Sequence, residues 1–207
     1  LSLVLILFIY SCWLKKENKV KIIFFMFLSF SLHMSSIIPV IIFFLCFYFK
    51  SYALCFMLYA LSIILSYFNI GVLDVFPYLN GFIANSSKIS YFQGESFGYE
   101  VGFKSQFVIF NTIILLISIY INSLIADYVL REKHRFIINY YILCSVVFFM
   151  AFQLPFSDRW GLFSWIVIPI LMAPLFSIKY VKKGIRIHWI LFFILIYLGF
   201  NFYAKSI

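Results

Sequence analysis

Charge is scarce in this chain, and negative charge scarcer still. Asp and Glu number 7 against 16 Lys and Arg in 207 residues, and charged residues make up only 11%. No water-soluble domain is apolar in almost every segment, so the scarcity excludes that class and leaves a multi-pass membrane protein. Recognisable catalytic motifs are missing as well. There is no Walker loop, dinucleotide fingerprint, HExxH or nucleophile elbow, which leaves nucleotide hydrolysis and metalloprotease chemistry without support. No CxxC or other metal-ligand spacing joins the four cysteines. Cys12, Cys46, Cys55 and Cys144 all lie in apolar spans and read as small core residues that give no redox information. There is no recognisable cleavable signal peptide. The chain opens at Leu1 inside an apolar run and reads as an N-terminally incomplete sequence.

What is present is hydrocarbon: 65% hydrophobic residues, 29 of them Phe, and a mean hydropathy of +1.07. The longer apolar segments are continuous runs of 17 to 21 residues, not the short alternating strands of an outer-membrane barrel. The expected fold is therefore all-α, a multi-pass transmembrane helical bundle forming one integral-membrane domain over residues 1–207. About eight spans or re-entrant segments are read: Leu1–Leu14, Ile22–Leu32, Ser36–Phe49, Tyr52–Asn69, Gln106–Ala126, Phe136–Pro155, Gly161–Ile178 and His188–Ala204.

The formal net charge of +9 does not imply nucleic acid as a partner, because the cations sit in short loops between spans. Three loops are clearly basic: Lys15 to Lys21, Arg131 to Arg135, and Lys179 to Arg186. The positive-inside rule places all three in the cytoplasm. That demand bears on the run from Ile22 to Phe49, whose 28 residues would make a helix of roughly 42 Å against a hydrocarbon core of about 30 Å. If the chain reverses at His33–Ser36, every basic loop falls on one side. The external face then carries the His33–Ser36 turn, the long loop Ile70–Ser105 and the tight turn Ser157–Trp160.

Each of these segments offers candidates. An intramembrane His is expensive and functional by default, so His33 is weighed as a catalytic group against a helix-packing hydrogen bond. Ser35 and Ser36 are candidate substrate contacts, although a Ser at a helix start also caps free backbone N–H groups, and Pro39 fits the first turn of that helix. The long loop is slightly acidic and rich in aromatic and small polar residues, Tyr99 among them. That mixture suits the faces and hydroxyls of sugars, and equally suits a loop lying at the membrane interface. Arg159 is the one arginine read as external. Its planar fork suits the bidentate binding of a lipid-linked diphosphate, and the plainer reading is an exposed charged turn partly neutralised by Asp158. Transfer from an activated lipid diphosphate needs a base for the accepting hydroxyl and positive groups for the leaving phosphate. Asp74, Glu95, Glu100 and Asp158 could each be that base, and so could His33, since imidazole titrates near neutral pH. His134 and His188 read as interfacial residues, and Asp127 with Arg131 reads as an i, i+4 helix ion pair.

The segment Phe30-Ser31-Leu32-His33-Met34-Ser35-Ser36-Ile37-Ile38-Pro39 resembles the apolar-HxSS-apolar signature of the EpsG/Wzy-like polysaccharide polymerases. Pro155-Phe156-Ser157-Asp158-Arg159-Trp160-Gly161 resembles their later Arg-containing turn. The resemblance implies a GT-C-like membrane polymerase of O-antigen, capsule or exopolysaccharide repeat units in the bacterial inner membrane. It further implies an undecaprenyl-diphosphate-linked glycan as substrate, membrane lipids around it, and a chain-length regulator and flippase of the same pathway as partners. No cofactor is implied, and His33 and Arg159 would correspond to the family's motif residues. Two other classes are weighed beside it. A flippase or transporter of the same lipid-linked units would show internal repeats, and the sequence shows none. A ligase of O-antigen type would use the same external His and Arg.

Overall fold

The computed structural model describes residues 9, 19–33, 36–49, 51–77, 101–154 and 156–176. The described residues are helical, with no strand among them, as the continuous apolar runs require. In chain order the helices are α1 (Lys19–Leu32), α2 (Ile37–Tyr48), α3 (Tyr52–Tyr67), α4 (Val72–Val75), α5 (Ser105–Leu124), α6 (Tyr128–Met150), α7 (Asp158–Trp165) and α8 (Ile168–Met172), followed by a 3-10 turn at Ala173–Phe176. The apolar run from Ile22 to Phe49 is broken where its length demands: α1 ends at Leu32 and α2 begins at Ile37. The expected spans Leu1–Leu14 and His188–Ala204 and the basic loop Lys179–Arg186 fall outside the described residues, apart from the buried Ile9.

Two boundaries differ from expectation for identifiable reasons. Arg131 to Arg135 is not a loop but the second turn of α6. Charge marks the membrane boundary, not the end of a helix, and Asp127 starts α6 early by accepting from the Leu130 N–H at 2.7 Å. Asp127 therefore caps the helix and does not form the expected ion pair with Arg131, whose guanidinium lies over the Tyr128 ring. The expected span Gly161–Ile178 is divided into α7, α8 and the 3-10 turn. Pro169 is the cause, since it has no N–H to donate to the Trp165 carbonyl and α7 stops there.

Among the described residues, α5 is the one helix long and apolar enough to cross a membrane. Its 20 residues make about 30 Å at 1.5 Å per residue, the thickness of a hydrocarbon core. The apolar helices α2 and α3 have 12 and 16 residues, short of that thickness. α6 has 23 residues and opens on charged ones.

α6 is the axis of the bundle, with α2, α3, α5 and α7 packed round it. Its residues from Phe136 to Ser145 are almost all buried. Aromatic rings fill much of the interior. Phe148 makes edge-on or tilted contacts with Phe107, Phe149, Phe152 and Trp165 at centroid separations of 5.0 to 5.8 Å. Gly161 permits the close crossing of α7, for a Cβ there would stand 2.9 Å from Trp165 Cζ2 and 3.0 Å from Phe148 Cζ. Buried polar groups pair between helices. The Tyr141 hydroxyl donates to Asn111 Oδ1 at 2.7 Å, and the Tyr59 and Thr112 hydroxyls lie 3.0 Å apart. Such pairs supply directional contacts where lipid removes the hydrophobic drive between helices.

Candidate functional site

The contacts fix the direction of the helices and with it the two ends of the bundle. Tyr52 at the start of α3 lies under Arg135, and Asn69 just past its end meets Gln153, so α3 runs alongside α6 in the same sense. α5 runs opposite, pairing Phe107 with Phe148, Asn111 with Tyr141 and Asn122 with His134. The chain then returns from Ser157 to Leu171, whose carbonyl reaches His134. One end therefore gathers Arg131, Lys133, His134 and Arg135. The other gathers residues 69–74, 101–104, 153–154 and 156–159. This agrees with the charge reading: the Arg159 turn shares an end with both margins of the long loop and lies opposite the basic stretch.

The Arg159 end is built from irregular backbone tied across elements. Asn69, Gly102 and Phe156 all have positive φ, at 60°, 118° and 56°. For a residue as bulky as Phe this conformation is strained, and such strain concentrates at functional sites. Gly102 donates its N–H to the Phe152 carbonyl at 2.9 Å, and Gln153 Nε2 donates to Asn69 Oδ1 at 3.2 Å. Gly71 lies so close to Gln153 that a Cβ would stand 2.8 Å from Gln153 Cγ. Phe103 contacts both Tyr67 and Phe152. Lys104 Nζ donates to Ser157 Oγ at 3.0 Å.

Arg159 stands in the first turn of α7, exposed, with its guanidinium carbon 4.6 Å from the centroid of the Phe156 ring. The left-handed turn at Phe156 precedes this pairing, and the Phe156 carbonyl accepts the Arg159 N–H at 3.1 Å. Stacking orients the guanidinium without using any of its five N–H donors, which are the groups that grip phosphate oxygens. Asp158, half-buried, is adjacent. The Ser157–Trp160 stretch is thus a helix start rather than the expected tight turn.

The other predicted residues separate into distinct cases. Asp74 is exposed at the same end, where its Oδ2 accepts the Gly71 N–H at 2.8 Å and closes the short helix α4. His33 is exposed at the end of α1; its N–H donates to Ser29 and its carbonyl accepts from Ser36. Among the described residues, none of the Arg159-end ties given above is made by His33. Ser36 occupies the cap position of α2, as expected of a helix start, but it makes no capping bond. Its backbone is already helical, at φ −64° and ψ −15°, and capping needs an extended backbone. Its hydroxyl is buried without a hydrogen-bond partner. Ser35, Glu95, Tyr99 and Glu100 lie outside the described residues, as does His188. Among the described residues, no group of three His, Cys, Asp or Glu could hold a metal ion.

Two residues carry more than the sequence indicated. Lys104 closes the long loop in sequence, and only the fold shows that it reaches Ser157. His134 is not interfacial but buried at 4% exposure. Its Nε2 lies 2.9 Å from the Leu171 carbonyl, and the Asn122 amide bridges its Nδ1 at 3.1 Å to the Tyr52 hydroxyl at 3.3 Å. A carbonyl only accepts, so Nε2 carries the proton. The structure sets Asn122 Oδ1 toward Nδ1 and its Nδ2 toward the Tyr52 hydroxyl; a neutral ring, whose Nδ1 accepts, calls for that amide to be turned over. Burial lowers the His134 pKa below its ordinary 6.5, and the Leu171 carbonyl opposes that shift. The depressed value means that the folded state prefers neutral His134. Its contribution to stability is complete above 6.5 and is lost as pH falls through the lower folded value. His134→Ala should cost about 1–3 kcal/mol by leaving the Leu171 carbonyl and the Asn122 amide without this partner. Thermal unfolding in detergent would read that loss, and His134→Gln should show less acid sensitivity than wild type.

Among the described residues the chain is an all-helical bundle with one helix long and apolar enough to cross a membrane, and it sets an exposed arginine over an aromatic ring at the end opposite its basic stretch. The model of the EpsG family matches residues 1–207, and the chain belongs to that family, one of polysaccharide polymerase-like membrane proteins. No curated protein matches the chain, and no solved structure does.

Proposed function

We propose that the protein polymerises lipid-linked oligosaccharide repeat units as a multi-pass enzyme of the bacterial inner membrane. The growing glycan passes from undecaprenyl diphosphate to the next lipid-linked unit on the periplasmic face. In the step, a hydroxyl of the accepting unit bonds to the anomeric carbon of the donor glycan. The bond from that carbon to the diphosphate oxygen breaks, and the lipid diphosphate leaves with the electron pair. A base takes the hydroxyl proton; Asp158, Asp74, Glu95, Glu100 and His33 are the candidates. Ser35, Ser36 and Tyr99 remain proposed substrate contacts.

The observation that carries this reading is Arg159: exposed, stacked on Phe156, and placed at the end of the bundle where orientation by charge disfavours arginine. A guanidinium held there suits the two phosphates of the carrier and the charge that grows on them as the bond breaks.

The test is a surface-glycan gel from a host deleted for the gene and complemented with wild type. The account expects a single capped repeat unit on deletion and a restored ladder on complementation. Loss of even the single unit would move the protein to an earlier step, such as flipping. A single unit that never reaches its final acceptor would make it a ligase.

A further inference from the structure

We propose that Lys104 is a positioning residue for Arg159, acting through the Ser157 hydroxyl; this rests on the polymerase reading above. Lys104 is placed by its own segment. Gly102, at a φ of 118°, donates to the Phe152 carbonyl, and Phe103 packs on Tyr67 and Phe152. These ties fix residues 102–103 on the end of α6. The Lys104 carbonyl then accepts the N–H groups of Phe107 and Val108 as α5 begins. From there the half-buried side chain crosses to Ser157, with Nζ 3.0 Å from Oγ.

Ser157 is the point through which that contact acts. It is fully buried, at 0% exposure, and stands at the cap position of α7. A Ser in that position ordinarily accepts from the first free N–H groups of the helix. Here its backbone is helical, at φ −56° and ψ −29°, and its side chain makes no capping bond. The hydroxyl accepts the Lys104 ammonium instead. Two residues later comes Arg159, and between them they define the first turn of α7. The Lys104–Ser157 contact therefore ties the start of α7 to the start of α5 on one side of the turn. On the other side, Gln153 is tied to Asn69. With both ties in place, the left-handed Phe156 and the guanidinium stacked on it have a fixed base.

Besides Ser157, the Lys104 ammonium faces the Phe107 ring, with Nζ 5.9 Å from its centroid, so the side chain spans the starts of α5 and α7.

The test compares Lys104→Met, Lys104→Arg, Ser157→Ala and the Lys104→Met, Ser157→Ala double variant. Two readings are taken: ladder length per unit of protein in the membrane, and elongation rate in vesicles supplied with lipid-diphosphate-linked repeat units. The expected loss for Lys104→Met is between tenfold and roughly hundredfold in rate, the scale on which a displacement of about 1 Å acts. Lys104→Arg restores most of the rate, because it keeps a cationic donor. Ser157→Ala matches Lys104→Met, and the double variant is no worse than either, as two ends of one contact require. A wild-type rate in Lys104→Met overturns the proposal. So does a wild-type rate in Ser157→Ala beside an inactive Lys104→Met, which would put Lys104 on the substrate directly. If Lys104→Met fails to accumulate, the less disruptive Ser157→Ala decides by the same criterion. Failure of the polymerase reading is separate: it shows in the gene deletion, where the ladder survives.

Discussion

Arg159→Ala is expected to reduce the surface glycan from a ladder to a single capped repeat unit, with the protein still in the membrane at its wild-type level. The side chain is exposed and its packing is confined to the Phe156 ring, so truncation removes little from the core, and surface changes of this kind cost within about 0.5 kcal/mol. The functional loss is of another order. Removing one preorganised group that stabilises developing charge typically slows a reaction by about 10²–10³-fold, enough to erase a ladder. Arg159→Lys keeps the charge and loses the planar fork that grips two oxygens and stacks on an aromatic face. It should therefore recover only short chains. A wild-type ladder in Arg159→Ala would remove Arg159 from the mechanism. His33→Ala separates two roles for the other motif residue: residual short chains would indicate positioning, and their absence would fit base chemistry.

Phe148→Ala is expected to be the most destabilising single truncation among the described residues. Phe148 is fully buried and touches four other aromatic rings. In a soluble core, Phe→Ala costs about 3–5 kcal/mol, divided between lost transfer from water and the cavity left behind. In lipid the transfer part shrinks, because the unpacked side chain also meets hydrocarbon. The cavity part stays, since α6, α7 and α5 are locked round the site by Trp165, Phe107 and Gly161 and cannot close in. A loss of roughly 2 kcal/mol would lower the melting temperature in detergent by about 4–8 °C for a chain of this size. Leu116→Ala is the comparison. Leu116 is 61% exposed beside Leu115 at 2% on the same helix, and its truncation should leave the melting temperature within a degree or two of wild type. Equal effects of the two would mean that α5 faces the bundle differently.

Sequence and structure agree where a local physical limit acts. The run from Ile22 to Phe49 is too long for one helix in a bilayer, and it breaks at His33–Ser36. Charge placed Arg131–Arg135 and Arg159 at opposite ends, and the pairing of α3 and α5 with α6 does the same. The bounds of α5 fell within two residues of those expected from hydropathy. Disagreement enters where the cause is long-range or where two signals were confused. His134 is buried because Asn122 and Leu171, 12 and 37 residues away in sequence, close on it; nothing adjacent announces that. Lys104 is one cation of the long loop in sequence, and only the fold sets Ser157, 53 residues on, beside it. The break after Trp165 was legible in Pro169, but a hydropathy run passes over a single proline. The Asp127 cap is legible too, but charge alone does not separate the first turns of a helix from a loop.

The central claim is that this protein joins lipid-linked repeat units through a site organised by Arg159. The most direct measurement places the wild-type protein in liposomes with lipid-diphosphate-linked repeat units and no nucleotide, and follows chain length together with released lipid diphosphate. The account predicts a growing ladder, one lipid diphosphate freed for each new linkage, and neither product with Arg159→Ala. Unchanged repeat units in the wild-type sample, or equal elongation by Arg159→Ala, would contradict it.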